Sequence, residues 1–159
     1  FSTFFGGSSS DIGLHMALDP NGNVYVVGVA GAADFPATDP FNVSMTVTPF
    51  YLTKFDPTGT TTLYSIFQRF GRRVAADADG AAYVVGGTQD GVVTKINPAG
   101  TASVYSRTLG GSQTDYAVDV AVDSQKNVYV VGVTQSSNFP TLKFKTYLKP
   151  NPQAKNKKC

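Results

Sequence analysis

Three equally placed positions carry the side chains best suited to chemistry: His15, Arg73 and Asp119. Each stands four residues before an aspartate that opens a polar turn, Asp19, Asp77 or Asp123. An imidazole titrates near neutral pH and can act as a general base. A guanidinium grips carboxylate or phosphate through paired donors. Four residues earlier stand Asp11, Arg69 and Asp115, a second polar set at the same spacing. If the three segments lie side by side, these groups converge on one ligand, which is the basis for expecting a lyase or hydrolase. The plainer reading is that a wet channel accepts polar residues that have no special role.

Other chemistry is poorly supplied. Asp77-Ala78-Asp79-Gly80 invites a calcium reading, but a calcium loop needs further oxygen ligands ending in a bidentate acid, and none follows. Asp and Gly are turn formers, so these segments read as hairpin turns and no metal is expected. There is no Gly-x-Ser-x-Gly, paired-His metal motif or phosphate loop, and no cofactor is implied. One His and one Cys make a poor nucleophilic set. The single thiol, Cys159, cannot close an internal disulfide, although it could link two chains.

A net charge of +2 is too small to argue for a nucleic-acid partner, and Lys155, Lys157 and Lys158 read as a solvated tail over 153–159. No apolar run approaches the roughly 20 residues of a membrane span. A first residue Phe1 without Met fits an exported, processed chain or a trimmed one. Asn42-Val43-Ser44 is a glycosylation sequon.

The elements that position the polar sets come from an internal repeat. Asp19-Pro20-Asn21-Gly22-Asn23-Val24-Tyr25-Val26-Val27-Gly28 returns as Asp77 to Gly86 and as Asp123 to Gly132, each a polar turn running into Tyr-Val-Val-Gly. β-branched and aromatic residues suit a pleated sheet. Lys54-Phe55-Asp56-Pro57 returns as Lys95-Ile96-Asn97-Pro98 and, weakened by proline, as Lys149-Pro150-Asn151-Pro152. Tyr105-Ser106-Arg107-Thr108-Leu109-Gly110-Gly111 matches Phe1-Ser2-Thr3-Phe4-Phe5-Gly6-Gly7 at the other end of the chain, and Tyr64-Ser65-Ile66-Phe67 is the middle copy.

Four strands per unit follow. Inner strands are expected near 13–18, 72–76 and 117–122, and second strands near 24–29, 82–86 and 128–133. Third strands are expected near 50–55, 91–96 and 144–149, and outer strands near 62–67, 103–109 and 1–5. Four short antiparallel strands in repeats of roughly 45 residues describe a β-propeller blade. The expected class is all-β. Residues 1–152 form three four-stranded blades (13–68, 70–109, and 115–149 with 1–7), the outer strand of the third being supplied by the N-terminus. Low charge, 15% against roughly 25% in soluble domains, together with 16 Gly and 9 Pro, suits many strands and tight turns.

At these residues the chain resembles the SBBP family of bacterial β-propeller repeats. The resemblance rests on Phe1 to Gly7, Ala17-Leu18-Asp19, Gly22 to Gly28, Asp34-Phe35-Pro36 and Lys54 to Gly59. In the third copy it rests on Tyr105 to Gly111, Ala121-Val122-Asp123 and Asn138-Phe139-Pro140-Thr141. The second copy departs from it, with an inter-blade loop five residues shorter and no Phe-Pro, and 30–49 is a long insertion that either binds a partner or covers a blade edge. The resemblance implies a propeller fold and an extracellular or cell-surface location; it implies no single activity.

Three blades are too few to close a ring, which typically needs four to eight. Open flanks would expose large apolar patches. Something is therefore expected to cover them: a second copy completing six blades, a head-to-tail filament, or the remainder of a longer chain. In the first case Phe1, Phe4, Phe5 and Tyr147 are the expected interface, with 1–5 added to the partner's third blade. The function expected is a scaffold or binding module for protein or glycan that completes its ring or array by self-association.

Overall fold

The computed structural model describes residues 2–41 and 49–140. Alternation of β-branched and small residues, broken by Asp- and Gly-led turns, gives ten strands among them. These are β1 Ile12–Leu18, β2 Val24–Val29, β3 Phe50–Phe55, β4 Thr62–Gln68, β5 Arg73–Ala76, β6 Ala82–Gly86, β7 Gly91–Ile96, β8 Ser103–Leu109, β9 Asp115–Val122 and β10 Val128–Thr134. They form two four-stranded sheets, β1-β2-β3-β4 and β5-β6-β7-β8, and a third in which β9 pairs with β10. Every pairing is between consecutive strands and antiparallel.

The architecture is all-β, three antiparallel sheets among the described residues. Strand positions follow the sequence reading closely; β5 starts at Arg73 and β9 already at Asp115. The third strand expected at 144–149 lies outside the described residues, as do Phe1, Asn42, Tyr147 and the 153–159 tail.

Register assigns the faces, because cross-strand partners share a face. On the first sheet Ala17 pairs Tyr25, His15 pairs Val27, and Leu52 pairs both Val27 and Ile66. This face packs on Val74, Ala82, Val84 and Ile96 of the second sheet. The other face of the second sheet, with Tyr83, Val85 and Val93, packs on Ala117 and Val120 of the third. Successive sheets thus stack by one rule: the trailing face of each covers the leading face of the next. Full burial of a valine such as Val27 or Val85 stabilises by about 1.5–3 kcal/mol.

The leading face of the first sheet is partly covered by its own chain. Ala30, Ala32 and Phe35 pack on Tyr51 and Phe67, with Phe5 and Ala37 alongside. Thr38 also bonds along the outer strand, donating its N–H to the Ser65 carbonyl at 2.9 Å and accepting from Phe67 N–H at 3.0 Å. Residues 30–38 therefore cap an otherwise unpaired edge.

Residues 2–7 form no strand in this chain, in contrast to the sequence expectation. A single extended segment needs a free edge to pair with, and here Phe5 instead lies on the first sheet's face. Its ring is 5.3 Å from that of Phe35 and 5.1 Å from that of Phe55, both edge-on.

Candidate functional site

β1 and β9 flank β5, so the inner strands of the three sheets run side by side. His15, Arg73 and Asp119 occupy matching places on them, paired with Val27, Val85 and Val131. All three lie on the trailing face. His15 is half-buried and turns toward the neighbouring sheet, its Nδ1 accepting the Val74 N–H of β5 at 3.4 Å. Arg73 donates to the Arg72 carbonyl at 2.9 Å. Asp119 is exposed and accepts its neighbour Val120 N–H at 2.9 Å. No hydrogen bond or ion pair joins these three among the described residues. They mark one register position in three sheets.

Asp11 and Asp115 have a common role built by the repeat. Asp11 accepts the N–H groups of Gly7 at 2.7 Å, Gly31 at 2.9 Å and Ala32 at 3.2 Å. The Gly7 donor above all, aided by the other two, holds its carboxyl below the usual carboxylate range. Asp115 accepts Gly111 N–H at 2.6 Å and the Ser136 hydroxyl at 2.8 Å. A companion bond repeats too: Ser8 N–H to Asp34 and Ser112 N–H to Asn138, both 2.8 Å. Each aspartate ties a Gly-Gly pair, Gly6-Gly7 or Gly110-Gly111, to the loop after β2 or β10. At Gly7 a side chain would meet the Asp34 carboxylate at 2.4 Å and the Ala32 methyl at 2.5 Å, so the tie requires glycine there. The second copy has Arg69 at this position; its guanidinium lies 5.4 Å over the Phe70 ring, facing solvent.

A network that the sequence reading did not assemble sits at the opposite end of each inner hairpin. Asp19 closes its turn by accepting Asn21 and Asn23 N–H at 3.0 Å each, and it also accepts the Tyr25 hydroxyl at 3.0 Å. Lys54 reaches within 3.9 Å of the same carboxylate. In the second copy Tyr83 donates to Asp77 at 2.8 Å, while Lys95 lies 3.3 Å from Asp77 and donates to the Tyr83 oxygen at 2.6 Å. In the third, Tyr129 donates to Asp123 at 3.0 Å.

Burial opposes ionisation of Asp19 and Asp77, but the donors around them outweigh it and hold both carboxyls below the usual range. Burial, with the Asp19 charge beside it, pushes the Tyr25 phenol up. The signal was present in the sequence as a Tyr six residues after each turn Asp and a Lys opening each Lys-x-Asx-Pro. Among the described residues no cluster of three metal-ligating side chains occurs, and the Asp77 turn is held by backbone and phenol donors.

Among the described residues two flanks are open. Tyr25 and Tyr83 are 0% and 1% exposed, while Tyr129 at the same place is 57% exposed; Val27 and Val85 are 0%, while Val131 is 61%. On the leading side Val74 is 1% and Val120 8% exposed, while Met16 is 56%. Leu18 and Val133 extend the same two patches. At these three register positions the side chain is covered where a neighbouring sheet exists and bare where none does. Phe4, expected at the interface, projects fully into solvent, whereas Phe5 is half-buried on the first sheet.

Comparison with known proteins agrees with this geometry. The family model of the SBBP beta-propeller repeat matches residues 1–36 and 104–140. Those segments are the two copies that carry the aspartate tie at Asp11 and Asp115. No curated protein gives a significant match to the chain.

Proposed function

We propose that this chain, two segments of which match the SBBP beta-propeller repeat, is a scaffold or binding module that completes a propeller by self-association. The observation that carries the reading is the register comparison across the three sheets. Positions buried between sheets one and two, and between two and three, are the ones left bare on the two outer flanks. An apolar face of this kind on a blade is a binding surface.

Two copies bring six blades together, within the range that closes a ring. The segment 1–5 then lies where an outer strand of the partner's third blade belongs. The analogous outer-strand residue Leu109 already packs beside Val128 and Val130 of the third sheet. An extracellular or surface location is part of the proposal and rests on the repeat resemblance; finding the chain confined to the cytosol of its source cells would overturn it.

Hydroxyl-radical footprinting tests the covering of the flanks, because Met16 and Tyr129 are both oxidisable and both bare in the single chain. Their oxidation is expected to slow as protein concentration rises. Rates independent of concentration would count against self-association.

A further inference from the structure

We infer that the two open flanks pair head to tail, the trailing face of the third sheet seating on the leading face of the first sheet of a second copy. This rests on the self-association proposed above and fixes its register. The alternative, two like flanks meeting across a dyad, would place Tyr129 against Tyr129 or Met16 against Met16.

The junction between the first and second sheets is the template. There the Tyr25 hydroxyl donates to the Gly80 carbonyl at 2.8 Å, Lys54 Nζ approaches that oxygen at 3.4 Å, and Val74 N–H reaches His15. Carried to the open flanks by register, Tyr129 donates to the Gly22 carbonyl of the second copy. Met16 N–H of that copy finds the Asp119 carboxylate where His15 stands in the template.

Gly22 suits this role. It sits in the turn at φ +83°, against +84° for Gly80. Each closes the same hydrogen bond to its turn aspartate, at 2.9 Å and 3.0 Å. The acceptor carbonyl is thus presented by the same local backbone. Below it, Tyr129 and Val131 meet Met16 and Leu18 as Tyr25 and Val27 meet Val74 and Ala76. Two such contacts in a pair of copies are both of the head-to-tail kind, and they close on themselves.

The test uses Val131→Asp, which disables the trailing flank, and Met16→Asp, which disables the leading one. Both positions are bare in the single chain, so both variants are expected to retain the wild-type circular dichroism spectrum. Each alone is expected to be monomeric by sedimentation velocity. An equimolar mixture is expected to regain association, through the one junction in which both flanks are wild type. Dimerisation of either variant alone, or a mixture that stays monomeric while the wild type associates, would overturn the head-to-tail register and leave self-association standing. A monomeric wild type would sink both.

Tyr129→Phe reads the hydroxyl contact separately. It removes one hydrogen bond at each of two junctions and is expected to weaken association by about ten-fold; an unchanged dissociation constant would refute the Tyr129–Gly22 contact.

Discussion

The Tyr25 hydroxyl reaches from the first sheet to the second, its single proton shared between the Gly80 carbonyl at 2.8 Å and the Asp19 carboxylate at 3.0 Å. One phenol thereby closes its own hairpin and locks the next sheet in register. Because the ring is fully buried, its polar tip has no water to fall back on.

Tyr25→Phe keeps the ring and deletes both bonds. It leaves the Gly80 carbonyl with only the long Lys54 contact. The expected loss is about 1–3 kcal/mol in chemical denaturation. A stability equal to wild type would show that the inter-sheet bond contributes nothing net.

Asp11→Ala and Arg69→Ala occupy one repeat position and separate its two uses. Asp11→Ala strands the N–H groups of Gly7, Gly31 and Ala32 and is expected to lower the unfolding midpoint. Arg69→Ala removes an exposed side chain and is expected to stay within about 0.5 kcal/mol. Thermal unfolding of the pair in parallel checks the contrast.

Acid should unfold the chain through the turn aspartates. The folded carboxyls of Asp19 and Asp77 lie below the ordinary 3.8, so the unfolded state binds more protons and stability rises with pH. Their contribution is in full force above that value and is lost as pH falls through the lower folded ones. Asp77→Asn is expected to flatten this acid limb and to lower stability at pH 7, since Lys95 loses its counter-ion. Denaturation midpoints from pH 2 to pH 7 would show it; an unaltered acid limb would contradict it.

Phe5→Ala and Phe4→Ala distinguish packing from exposure in the N-terminal segment. Phe5 touches Phe35, Tyr51 and Phe55. Its truncation is expected to destabilise by about 2 kcal/mol, below the roughly 3–5 kcal/mol for fully buried aromatics because the ring is only half-buried. Phe4→Ala is expected to leave unfolding of the single chain unchanged, as its ring is wholly in solvent. Urea denaturation at low protein concentration compares them.

The strands were legible because their causes are local. Tyr-Val-Val-Gly after an Asp-led turn carries its own period and its own stop, and the matching strands β2, β6 and β10 begin at Val24, Ala82 and Val128. The polar positions were legible as a register but not as a site. Asp11 reads as a ligand group until Gly31 and Ala32, some twenty residues away, are seen to donate to it. His15 reads as a channel residue until Val74, fifty-nine residues on, meets its ring. The Asp19-Tyr25-Lys54 network was hidden in the same way: its members recur in every copy, but only the hairpin and its neighbour bring them within bonding distance. The open flanks were foreseen from blade arithmetic, and the comparison of Val27 and Val85 with Val131 gives that expectation its residues.

The mass of the native chain by light scattering across a dilution series bears most directly on whether a second copy covers the flanks. A closed pair gives twice the 16.8 kDa of one chain, falling toward 16.8 kDa only on dilution. A folded species that stays at 16.8 kDa at every concentration it tolerates would contradict it.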